Sequence, residues 1–154
     1  MSEPFYDTSR FVIDVDATRE WYASLLTGKA ETCACLNCVN WVAARDHVFN
    51  SEVEALLASF GVDWHKETYV CEMGQPSPGE HIYNCHFEVV GRTVINSSVE
   101  TSQQWDIGEV QITLTSHGYG PPDSPSPPGD SLCLIVWLTQ PWYLDPDDDT
   151  PYRP

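Results

Sequence analysis

A chain of 154 residues is long enough for one domain with a core that needs no staples. Its 42% apolar and 12% aromatic content exceeds what a disordered acidic segment carries. With 23 acidic against 7 basic residues, a formal charge of −16 excludes ordinary nucleic-acid binding, which needs a basic stripe to displace counterions from phosphates. It also disfavours an anionic membrane surface and favours a basic protein partner, because opposite fields steer encounter.

Met1 to Asp7 lacks the basic start and apolar stretch of a signal peptide, and no apolar run reaches the roughly 20 residues that span a bilayer. The expected compartment is the cytoplasm. Cysteines there serve as metal ligands, redox groups or core residues more often than as disulfides. Phe11, Ile13 and Val15 alternate with Val12 and Asp14, which predicts a strand. Asp16 or Thr18 then caps a helix through Trp21, Tyr22, Leu25 and Leu26, stopped by Gly28. Glu31 to Leu36 reads as a second short strand, with Cys33 and Cys35 on one face. A helix is expected from Cys38 to Phe49 with Val39, Val42, Ala43 and Val48 inward. Ser51-Glu-Val-Glu54 has the form of a capping box opening another helix, which buries Val53, Leu56, Leu57 and Phe60 and closes at Gly61.

The period then changes to two. Tyr69, Cys71 and Met73 share one side of a strand; Tyr83, Cys85, Phe87 and Val89 share one side of the next. Gly74-Gln-Pro-Ser-Pro-Gly79 is turn chemistry between them, and a hairpin symmetric about Pro78 sets Cys71 opposite Cys85. Val110, Ile112 and Leu114 mark a third strand. Leu132 to Leu138 is apolar on both faces, as a central strand covered from both sides would be. His117 to Asp130, rich in proline, glycine and serine, is expected to be a mobile loop. Residues 145–154 are expected to form a mobile acidic tail after a domain spanning 1–144. Early helices followed by a run of strands indicate an α+β fold: a mostly antiparallel sheet of about four to six strands with a helix pair on one face.

Cys33-Ala-Cys35-Leu-Asn-Cys38 is the most specific local signal. Three thiols within six residues converge if the chain turns into a helix there, and zinc takes soft, deprotonated ligands in a tetrahedron. A closed site needs a fourth ligand, for which Cys71 and Cys85 are the first candidates, then His86, His65 and His47. No second Cys-x-x-Cys follows, and free cysteines also pack as small hydrophobes. Cys35-Leu-Asn-Cys38 at a helix start also has the form of a redox pair, though without the βαβ pattern expected around one. His86-Phe87-Glu88 reads as a wet sheet surface. Trp137, Trp142 and Tyr143 are core aromatics by default, or a partner-binding patch rimmed by acidic residues.

The run Thr32-Cys-Ala-Cys-Leu-Asn-Cys-Val-Asn-Trp41, with Pro141-Trp142 near the other end, resembles a family of small bacterial proteins of uncharacterised function. In that family a Cys-x-Cys-x-x-Cys-x-Asn-aromatic segment precedes a helix pair and a sheet. The resemblance implies a single α+β domain and carries no activity with it. The expected function is that of a non-enzymatic acidic binding protein for a basic partner, of immunity or inhibitor type. The alternatives are a small zinc- or thiol-dependent enzyme centred on Cys33, Cys35 and Cys38, or a domain with a purely structural zinc.

Overall fold

The computed structural model describes residues 10–94, 101–116 and 120–149. The segment read for a signal peptide, the first three residues of the proline-rich loop and the last five of the acidic tail lie outside the described residues. In chain order the elements are β1 (Phe11–Ile13), α1 (Val15–Ser24), a 3-10 turn (Lys29–Thr32), α2 (Leu36–Val48), α3 (Ser51–Ser59), β2 (Tyr69–Ser77), β3 (Glu80–Thr93), β4 (Ser102–Ile107), β5 (Val110–Thr115), β6 (Ser131–Pro141) and a second 3-10 turn (Pro146–Asp148). The fold is α+β, as expected, and every strand pairing is antiparallel. No helix among the described residues is long and apolar enough to cross a membrane.

Long β3 is the spine of the sheet, in the order β3-β6-β5-β4, with β1 and β2 sharing its other edge. β2 covers residues up to His86 and β1 resumes at Gly91. Between them α1 takes the place of a strand. Tyr22 Oη donates to Glu88 O at 2.8 Å, Val90 N donates to Thr18 Oγ1 at 3.0 Å, and Asp14 N donates to Val90 O at 2.9 Å. Backbone groups next to a core must be paired, and here side chains do what a ladder would otherwise do. The helices pack on the face carrying Tyr83, Cys85, Phe87 and Val89 of β3 and Leu132, Leu134, Val136 and Leu138 of β6; Trp41, Leu56, Leu57 and Phe60 fill the layer between. β6 lies between β3 and β5, and Cys133 and Ile135 on its other side are buried too, so the strand is covered from both faces.

Several local expectations are corrected. Residues 31–36 form no strand: the 3-10 turn ends at Cys33, and Cys35 already caps α2. Asp14, whose Oδ1 accepts from Ala17 N at 2.9 Å, caps α1, and Asn50 caps α3 where Ser51 was expected. The inner stripe of α2 holds Asn40, Trp41, Ala44 and Arg45, while Val39 and Ala43 face solvent. Val42 and Val48 do pack against the core, but two polar residues share the stripe because each has its own partners, so hydrophobic periodicity found only part of the inner face. Asn40 Nδ2 donates to Tyr83 Oη at 3.2 Å, and its Oδ1 accepts from Tyr143 N at 2.7 Å.

The hairpin turn is Pro78-Gly79, with Gly79 at φ +77, as a type II turn requires of its third residue. Such a turn splays the strands, and the register shifts between Glu72 and Gly74 and again before Ser77. Cys71 therefore stands opposite Asn84, and Val70 opposite Cys85. The two cysteines end on opposite faces. β4, which no pattern suggested, is joined to β5 by Gly108-Glu109, with Gly108 at φ +60.

Candidate metal centre

The cysteine motif sits at the N-terminus of the 13-residue helix α2. Cys33 leaves the 3-10 turn in extended backbone, Cys35 is the N-cap and Cys38 lies in the first turn; Cys38 N donates to Cys35 Sγ at 3.4 Å. The three sulfurs all lie within 4.8 Å of one another, close enough for one ion to touch all three. Cys33 and Cys35 are exposed and Cys38 is half-buried. Cys71 and Cys85 do not belong to the group, nor do His47, His65 and His86. Cys85 is in the core, Cys71 lies on the far face of β2, and Cys133 is buried on the far face of β6.

The thiols differ in acidity. Cys33 is held below its ordinary value, first by the Cys35 N–H, then by hydrogen bonds with the Cys35 and Cys38 thiols. Cys38 is pushed up, chiefly by burial and then by the same two neighbours. Cys33 is therefore the readier of the two to lose its proton, and a metal cation is the kind of replacement that can draw the proton from Cys38. The free amides of a helix start further favour negative sulfur there.

A buried ion-pair network fixes the loop that carries the first two cysteines. Glu67, whose side chain is fully buried, accepts from Ala30 N at 3.1 Å, and its backbone O accepts from Lys29 N at 2.8 Å. Arg45 of α2 pairs with Glu67 at 3.2 Å and with Glu31, and donates to His65 O at 2.8 Å. Burial raises the Glu67 carboxyl, with backbone hydrogen bonds and Arg45 opposing. Gly28 belongs to this network and does not stop α1. A Cβ there would run into the Glu67 carboxylate and stand 2.7 Å from His65 O.

The remaining predicted residues do not gather. Trp137 lies half-buried on the sheet face away from the helices. Trp142 packs on His81, ring centroids 5.0 Å apart, and exposed Tyr143 stacks on His47 at 5.4 Å, on the helix side. Sequence reasoning gave no weight to His81. It is 4% exposed, with Nε2 2.8 Å from Asp149 Oδ1 and Nδ1 3.3 Å from Glu72 Oε1, so Asp149 of the acidic segment is fastened to the sheet. His86 also departs from the expected wet surface. It is 4% exposed, not wet, because the 120–131 segment covers that face.

Compared with protein-family models, with curated proteins and with solved structures, the chain matches none. What it does must be read from its own residues.

Proposed function

We propose that this protein binds one soft metal ion, zinc by preference, through Cys33, Cys35 and Cys38, leaving a fourth position open on the surface. The observation that carries this reading is the convergence of three sulfurs within 4.8 Å at a helix N-terminus. Three thiolates suit Zn²⁺ or Cu⁺ over hard cations, and exposed Cys33 and Cys35 leave room for water, a substrate atom or a partner's ligand. Reduced protein titrated with Co²⁺ as the spectroscopic stand-in for zinc is expected to take up one ion per chain, with the thiolate charge-transfer and tetrahedral visible bands. Serine at any of the three positions is expected to weaken uptake by about 100-fold or more, while Cys71→Ser leaves it unchanged. Uptake that is not stoichiometric, or that survives all three serines, overturns the reading.

The acidic surface supports a second role, the binding of a basic protein. Several of its few cations are paired within the chain: Arg45 is buried on Glu67 and Glu31, Lys66 reaches Asp63 and Tyr22 O, and Arg19 meets Asp16 at the surface. The net field is left to acidic groups. Association with a cationic protein is expected at low salt and to weaken steeply as salt shortens the Debye length from roughly 30 Å to 10 Å. Absence of any such association at low salt would falsify this role.

A further inference from the structure

On the sheet face turned away from the helices, β3, β6 and the 120–131 segment enclose a cavity of about 260 Å³. His86, Glu88, Tyr69, Ser124 and Cys133 are among its lining residues. His86 Nε2 lies 2.7 Å from Asn84 Oδ1; with the amide in that orientation Nε2 donates, and the Nδ1 lone pair has no hydrogen-bond partner among the described residues. That lone pair is turned to the loop: a Cβ on Gly120 would stand 3.6 Å from Nδ1. Ser124 Oγ is buried and has no hydrogen-bond partner among the described residues. Glu88 lies two residues along the same face of β3, half-buried. Among the described residues no lysine or arginine lines the cavity.

A half-enclosed site walled by a carboxyl, an imidazole lone pair and an unsatisfied hydroxyl is rich in acceptors, and the donor beside Glu88 is the neutral hydroxyl of Ser131, which leaves the carboxylate's charge unmatched. We propose that this cavity binds a guanidinium group. A guanidinium carries five N–H donors in a plane, enough to serve Glu88, His86 Nδ1 and Ser124 Oγ together, and it is more weakly hydrated than an ammonium, so it loses less on entering. The Tyr69 ring, 5.0 Å from that of His86, offers an aromatic surface for the planar cation. The cation also offsets the cost of an ionised Glu88, whose carboxyl burial otherwise lifts. The group belongs to a free alkylguanidine or to an arginine side chain on a protein; the second source rests on the partner-binding role above.

The test is a ¹H–¹⁵N NMR titration of the full chain with three probes: n-butylguanidinium, a short peptide with one arginine, and n-butylammonium. Saturable shifts at the His86 ring and the Ser124 amide are expected with the first two. The ammonium should bind at least about tenfold more weakly, and Glu88→Gln and Ser124→Ala should each cost about tenfold. A peptide that binds tighter than n-butylguanidinium identifies a protein arginine as the source, and the reverse order a free small molecule. No saturable shift up to about 50 mM probe overturns the proposal, as does equal binding of the ammonium or affinity unchanged in Ser124→Ala, a loop variant that leaves the sheet intact. Failure here leaves the partner-binding role standing, because that role is read from salt-sensitive capture of a cationic protein and not from these probes.

Discussion

Replacing Arg45 with methionine is expected to cost about 3–5 kcal/mol of stability, the usual penalty for stranding a buried carboxylate. Arg45 is 7% exposed and the Glu67 side chain is fully covered, so water does not repair the loss. Glu67 already sits above its ordinary value through burial, and without Arg45 it climbs further, so the deficit should shrink as the pH falls and Glu67 takes a proton. Adding Glu67→Gln should recover most of the loss, because the amide keeps an acceptor for Ala30 N and carries no charge. Urea unfolding of the two variants at several pH values checks all three points. A single variant within about 0.5 kcal/mol of the parent would show that the network is ornamental. The same substitution should loosen the cysteine loop, since Glu31 and Glu67 reach it through Arg45 and Ala30, and zinc affinity should fall with it.

Acid is expected to destabilise the protein through His86 well before carboxylates protonate in bulk. Burial lowers its pKa from an ordinary 6.5 to about 4, so between those values the unfolded chain binds a proton that the folded protein refuses. Stability from this group is complete above pH 6.5 and is lost as the pH falls to 4, up to about 3 kcal/mol in all. Glu67 and Glu88, both raised by burial, act in the opposite sense: they are protonated more readily when folded, and their share declines as the pH rises. His86 is therefore isolated by difference. The stability gap between the parent and His86→Gln should change by roughly that amount across the window, and a gap that stays flat in pH would refute the assignment.

Much of this architecture is legible in the sequence where one physical rule acts alone. The strands carrying Phe87 and Ile112 alternate, the one carrying Leu134 is apolar on both faces and covered on both, and the α3 stripe of Val53, Leu56, Leu57 and Phe60 is apolar and buried as its spacing implies. Legibility fails where polar groups are satisfied at a distance. Arg45 and Asn40 turn α2 because Glu67 and Tyr83, far along the chain, stand ready to pair with them. The slip that separates Cys71 from Cys85 lies in bulges that no residue announces beyond Gly74, at φ +142. Cys33, Cys35 and Cys38 were visible because their convergence needs only a local turn. The burial of His86 was not, since it depends on a loop that returns more than thirty residues later.

The break in the β3 edge bears on how the chain assembles. Thr18 and Tyr22 meet β3 across 72 and 66 residues, and among the described residues nothing else pairs Val90 N or Glu88 O there. A sheet formed without α1 would carry bare polar groups midway along the β3 edge, and α1 by itself, at ten residues, is too short to persist in water. Neither piece is a refuge on the way to the other. Closure of a long segment must come before either is rewarded, which favours slow, all-or-none folding over stepwise accretion of parts.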